Sequence, residues 1–270
     1  MKESFFDDKK IYYRVNTHAP QKPNVIFIHG LSGSSSAWIE YEKKFAEKWN
    51  LISLDLRGHG KSFRPHEYEE YAIRAFANDV YELLTHLNIK NPILISHSFG
   101  TMVALDFLAR YPTYAGASLF LSPSFKTEKR LAARLVHAVF KLLARSPFLP
   151  LRTDAGTHID YAHYKNTGDW NIRRMFADIK NTGLRPFIYA TEQSFRFDRS
   201  VSLSNINIPV LIMHGKKDSI SPVANAITMT EKIKNARLIL LENADHILVL
   251  NNFKEVCGAL HAFIHENQKE

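Results

Sequence analysis

Thiol chemistry is almost absent from this chain: of its 270 residues only Cys257 is a cysteine, which excludes an internal disulfide and any metal centre built on thiolates. Cys257 falls in a helical pattern, 253–264, and reads as a small buried hydrophobe. Long apolar runs are also missing. None approaches the roughly 20 residues that a membrane span needs, and Met1–Asp8 has no apolar core of the kind a secretion signal carries. The expectation is a cytoplasmic protein without a transmembrane segment. The thirteen histidines show no metal-ligand spacing, so no metal is expected. Arg57-Gly58-His59-Gly60 lacks the spacing of a phosphate loop or dinucleotide fingerprint and reads as a structural turn, so no cofactor is expected either. Repeats and low-complexity segments are absent.

What is present is enough apolar material, 45% of the residues, for a full core. A hairpin is expected from 4–7 and 11–15, with Asp7-Asp8-Lys9-Lys10 as its turn. Buried-strand candidates follow at 24–29, 51–56, 92–95, 117–121, 209–213 and 237–241, and helical patterns lie between several of them, at 37–48, 71–87 and 101–111. Strands that alternate with helices predict an α/β fold with a mostly parallel eight-stranded sheet, covered by helices on both faces. Between Ser122 and Pro209 the alternation stops, and helical patterns and turn signals such as Thr167-Gly168-Asp169 replace it. The expected organisation is therefore a core of 1–123 and 205–270 with a helical cap, 124–204, inserted after the sixth strand.

Ser96-His97-Ser98-Phe99-Gly100 lies between the apolar run 92–95 and a helical stretch. A strand, a sharp turn and a helix can hold one serine hydroxyl exposed at the end of a sheet. Ser98 is placed at the apex by its spacing to Gly100, with Ser96 as the rival on paper. Such a serine needs a base and an acid to orient that base. His246 is the candidate base and Asp218 the candidate acid. Asp245 is the alternative acid, although its adjacency to His246 makes an aligned contact with the ring harder. His29 and His59 read as turn residues.

With His29-Gly30-Leu31-Ser32-Gly33, Asp55-Leu56-Arg57-Gly58-His59-Gly60-Lys61-Ser62, the elbow at Ser98, Gly215-Lys216-Lys217-Asp218 and Ala244-Asp245-His246 in this order, the chain resembles the α/β-hydrolase superfamily, in its compact form with a helical cap. Ser96 stands where the family's elbow has glycine, which predicts a slightly altered turn. The resemblance implies that Ser98 is the nucleophile, His246 the base and Asp218 its orienting acid. It also implies an oxyanion hole made by the backbone N–H groups of Leu31 and Phe99. Relatives that open epoxides or cleave carbon–halogen bonds carry a carboxylate at the elbow, so Ser98 points instead to acyl transfer to water. The expected activity is that of a serine esterase, lipase-like, on a carboxylic ester with a hydrophobic acyl group. A carbon–carbon bond hydrolase of small dienoic ketoacids and a slow-turnover ligand sensor on the same fold are the alternatives.

Between Phe125 and Arg152 seven Lys or Arg residues face one acid, Glu128. On a helix, Arg130, Arg134, His137, Lys141 and Arg145 fall on one arc, and Leu131, Leu135, Val136, Val139, Leu142 and Leu143 on the opposite face. The apolar face is expected to cover the active site. The basic arc could meet an anionic lipid interface or an acidic acyl carrier besides a small-molecule ester or acyl substrate. Nucleic acid is not expected, because these basic residues have no interleaved stacking aromatics. The aromatics Tyr161, Tyr164, Trp170, Phe176, Phe187, Tyr189, Phe195 and Phe197 are expected to build the core of the cap.

Overall fold

The structure, a computed structural model, describes residues 1–6, 10–127, 131–146 and 156–268. Its strands are β1 (Lys2–Phe6), β2 (Ile11–Val15), β3 (Asn24–Ile28), β4 (Asn50–Leu54), β5 (Ile93–His97), β6 (Ala117–Leu121), β7 (Val210–Gly215) and β8 (Ala236–Leu241). They form one sheet in the order β1-β2-β4-β3-β5-β6-β7-β8. β2 runs antiparallel to both of its neighbours, and every pairing from β4 onward is parallel. This is the α/β architecture expected from the sequence. The turn expected at 7–10 falls mostly outside the described residues.

Parallel strands need crossovers, and helices supply them. The core helices are α1 (Ile39–Phe45), α2 (Ile73–His86) and α3 (Phe99–Arg110), the next three are α4 (Leu131–Ala144), α5 (Ile172–Thr182) and α6 (Leu184–Arg196), and the chain closes with α7 (Val223–Lys232), the short α8 (Leu248–Asn251) and α9 (Phe253–Glu266). Because successive side chains of a strand point to opposite faces, β3 divides its residues between two cores. Ile26 and Ile28 pack with Phe76 and Val80 of α2, Val103 and Phe107 of α3 and Met229 of α7. Val25 and Phe27 pack on the other face with Tyr41 and Phe45 of α1 and with Val256, Leu260 and Phe263 of α9. Cys257 is buried in that second layer, and burial pushes its thiol up to about 11.

The loop after β4 is locked from two sides. Arg57 donates to both oxygens of Asp79 on α2 at 2.6 Å with both side chains buried, so its guanidinium has a structural partner and no anion to recruit. Asp55 accepts from the Ser35 and Lys61 N–H groups and pairs with His158 Nε2 at 2.8 Å. Burial alone would raise its carboxyl, but His158, His29 and the Ser35 hydrogen bond together outweigh burial and hold it at about 2.

Between β6 and β7 lie α4, α5, α6 and short turns. α4 corrects the sequence reading. Its apolar face does not cover the site: Leu135, Val136, Val139, Leu142 and Leu143 are all exposed, Leu142 by 74%. The helix instead meets α6 through His137, which bonds Glu192 and stacks on Phe195, and through Phe140, whose ring lies 6.0 Å from that of Phe187. Amphipathicity fixes that two faces exist, and the packing partner decides which of them turns inward. Arg134, Lys141 and Arg145 are exposed, whereas Arg130 and the side chain of Leu131 lie outside the described residues. A second correction concerns the aromatics. Tyr161, Tyr189 and Phe197 are buried, but Trp170 and Phe176 are exposed by 64% and 68%. Among the described residues, no helix is long and apolar enough to cross a membrane.

Candidate active site

β5 ends at His97 and α3 begins at Phe99, leaving Ser98 alone in the turn, with φ 51° and ψ −117°. That conformation is strained for a residue with a side chain and recurs where function holds a group in place. The turn is possible because the helix comes very close to β3: a Cβ on Gly100 would lie 2.5 Å from the His29 carbonyl oxygen. Ser96, in the position of the family's first elbow glycine, points into the protein, fully buried, and its hydroxyl donates to Thr101 Oγ1 at 3.3 Å.

The structure brings Ser98, His246 and Asp218 together. His246 Nε2 lies 2.7 Å from Ser98 Oγ, and His246 Nδ1 lies 2.8 Å from Asp218 Oδ2. An ionised carboxylate only accepts, so Nδ1 carries the proton and Nε2 is left to accept from the serine. Asp218 Oδ1 accepts from the Ile220 and Ser221 N–H groups at 2.9 and 2.7 Å. Burial would raise this carboxyl, but its contacts with His246 and the Ser221 N–H outweigh that and hold it below the usual carboxylate range. The alternative acid, Asp245, faces away from the ring and accepts from Ile247 N–H and Asn251 Nδ2.

Three further side chains surround the group, and the sequence analysis missed all of them. Asp169, in the segment read as a turn, accepts from the backbone N–H of His246 at 2.8 Å through Oδ1, and from Ser219 N–H and Oγ at 2.9 and 2.7 Å through Oδ2. One carboxylate of the segment between β6 and β7 thus ties the His246 loop to the Asp218 loop. His97 Nε2 donates to the His246 carbonyl at 2.9 Å, while burial and the His246 charge push its own ring down to about 3. His214 is completely buried and donates from Nε2 to the Ser221 carbonyl at 3.0 Å. For His97 and His214 the available signal was their place in the elbow and near the end of β7. For Asp169 no local signal exists.

The loop at 29–33 packs against Ser98, since a Cβ on Gly30 would lie 3.4 Å from Ser98 Cβ. His29 accepts the Leu56 N–H at Nε2 and is buried, as befits a turn residue. Ser98, His246 and Leu31 open into a cavity of about 270 Å³ whose other walls include Met175, Phe187 and Ile247. Asp178 also lines it, and burial pushes that carboxyl up to about 7. Among the described residues, no group of three or more His, Cys, Asp or Glu side chains is placed to hold a metal ion.

A family profile described as the alpha/beta hydrolase fold matches residues 23–253. The chain belongs to the α/β-hydrolase family. Within that family it is 26% identical over 251 residues to an uncharacterised protein of Mycobacterium tuberculosis, Rv2715, covering 87% of this chain and 73% of that one. It is 22% identical over 272 residues to the monoacylglycerol lipase ABHD6 of Bos taurus, covering 96% and 80%. Its fold is that of Est816, an N-acyl homoserine lactone degrading enzyme, with a TM-score of 0.77 at 23% identity over 97% of this chain and 100% of that one. A thermophilic esterase from Thermogutta terrifontis superposes with a TM-score of 0.74 at 17% identity, covering 96% and 94%.

Proposed function

We propose that this α/β-hydrolase is a serine hydrolase of carboxylic esters with a hydrophobic acyl group. The observation that carries the reading is the continuous Ser98–His246–Asp218 relay at the floor of an apolar cavity. Ser98 Oγ attacks the ester carbonyl carbon as its proton passes to His246 Nε2. The carbonyl oxygen becomes an oxyanion, held by the Leu31 and Phe99 N–H groups, an arrangement in which each donor contributes about 3 kcal/mol to the transition state. Collapse expels the alcohol, which leaves with the proton from Nε2, and Ser98 keeps the acyl group. Water then gives its proton to His246 as it attacks the acyl carbon, and the bond to Ser98 Oγ breaks as His246 returns that proton to Oγ, releasing the acid.

A chain-length series of p-nitrophenyl esters tests this. Burying each added methylene is worth up to about 0.8 kcal/mol, so kcat/KM is expected to rise up to about fourfold per methylene until the cavity is filled. Highest activity on the acetate, falling with length, would overturn the hydrophobic-acyl reading.

The exposed face of α4 supports a partner of the same chemistry, an anionic lipid surface. Leu135, Val139 and Leu142 stand exposed beside the exposed cations Arg134, Lys141 and Arg145, the pattern of a helix that lies in an interface plane. Phe140, on the inward side of this helix, packs on Phe187, a wall of the cavity, so the helix adjoins the site. A basic side chain near an anionic surface contributes about 1 kcal/mol. Replacing Arg134, Lys141 and Arg145 together by Gln is therefore expected to lower partitioning onto phosphatidylglycerol vesicles about 100-fold and to remove most of its salt dependence. Vesicle binding unchanged by the triple substitution would overturn the proposal.

A further inference from the structure

The cavity above Ser98 holds one polar pair that hydrolysis itself leaves idle. Tyr161 donates its hydroxyl proton to Asp178 Oδ1 at 2.8 Å, and both residues line the cavity. A Cβ on Gly33 would lie 3.7 Å from the Tyr161 hydroxyl, so the pair stands against the loop that carries Leu31. The second oxygen, Asp178 Oδ2, has no hydrogen-bond partner among the described residues. A buried carboxyl within an apolar wall is costly unless it is hydrogen-bonded. A half-satisfied one in a cavity therefore invites a ligand group, and a few polar groups in an apolar pocket are what fix a ligand's orientation.

The protons decide which group. The single hydroxyl proton of Tyr161 is committed to Asp178, and an ionised carboxylate has none to give. Burial raises the Asp178 carboxyl to about 7, and on the alkaline side of that, where it is ionised, the pair offers acceptors alone and turns away carbonyls, ethers and carboxylates. An ammonium group would have to be desolvated beside Arg174, one turn earlier on α5 and lining the same cavity. A neutral donor meets neither obstacle, and the neutral donors common in ester substrates are hydroxyl and amide N–H groups.

We propose that Tyr161 and Asp178 form a donor-selective subsite, so that the preferred esters carry a hydroxyl or an amide N–H that hydrogen-bonds to this pair. The inference rests on the reading of Ser98 as an ester-cleaving nucleophile. A subsite of this kind separates substrates by the group that fills it, because the analogue without that group leaves the buried carboxyl unpaired.

Four esters of matched length test it at mildly alkaline pH, where Asp178 is ionised. Methyl octanoate lacks a donor. Methyl hydroxyoctanoate places a hydroxyl on the acyl side, the glycol monoester of octanoic acid places one on the alcohol side, and an N-acylglycine methyl ester supplies an amide N–H. At least one of the three donor esters is expected to exceed methyl octanoate in kcat/KM by about tenfold or more, and which one identifies the source of the donor. Asp178→Ala and Tyr161→Phe are each expected to bring that ratio down toward one. The ratio is the readout because the fraction of correctly folded enzyme cancels from it, so partial loss of structure does not imitate the result. Ratios near one in the wild type, or a high ratio that survives both substitutions, would overturn the subsite while leaving ester hydrolysis intact. Failure to cleave any of the four would count against the hydrolase reading itself, and against the subsite with it.

Discussion

Ser98→Ala is expected to lower ester turnover by on the order of 10⁵ to 10⁶-fold and to abolish covalent labelling by a fluorophosphonate, with labelling mapped to Ser98 in the wild type. The size follows from the role. Without Oγ there is no acyl-enzyme, and what remains is the contribution of binding and of the oxyanion donors, which stays well above the reaction in water. His246→Ala is expected to be about as severe. The double variant should be no worse than either single one, because groups that act as a unit are not additive. The fold should survive the Ser98 change, since among the described residues the hydroxyl's one hydrogen bond is with His246. A folded wild type that takes no label would favour a ligand-binding role for the same site, and a double variant far slower than both single ones would contradict a single relay.

Asp218→Asn is expected to cost about 10⁴-fold in kcat while leaving the protein folded. The amide keeps an oxygen that can still accept from the Ile220 and Ser221 N–H groups. What it changes is the atom facing His246 Nδ1, at present an acceptor 2.8 Å away. An amide NH₂ in that place is a donor, so the ring turns to the tautomer with its proton on Nε2, which cannot take the proton of Ser98. Asp245→Asn is the matched control, since Asp245 bonds Ile247 N–H and Asn251 and does not touch the ring. Steady-state rates of the two variants decide the assignment: similar losses in both, or a larger loss at Asp245, would refute Asp218 as the orienting acid.

The parallel part of the sheet was legible because each of its strands is a short apolar run bounded by turn residues, and the helices between them show in the sequence as helical spacing. The elbow was legible for a similar reason, since Ser98 and Gly100 are neighbours in sequence and the turn is local. α4 shows where this kind of reading stops. Its two faces are visible in the order of residues, but the side that turns inward depends on Glu192, Phe187 and Phe195 of α6, some 50 residues away. Trp170 and Phe176 were expected inside on hydrophobicity alone, and that scale carries no information about which side a neighbour occupies. Asp169 was invisible for a stricter reason. Its partners are backbone N–H groups at 219 and 246 and the Ser219 hydroxyl, 50 residues or more away, and a backbone N–H leaves no residue-type signal in a sequence.

The Asp169 carboxylate also bears on how such proteins diversify. The segment between β6 and β7 contributes Met175 and Phe187 to the cavity, and it is easily mistaken for a detachable accessory. Here it is not detachable, because one of its side chains braces the two loops that carry Asp218 and His246. A chimera that imports a foreign segment without an equivalent carboxylate inherits a new pocket and a loosened relay together. In this chain, the segment between β6 and β7 and the placing of Asp218 and His246 are therefore linked through a single residue.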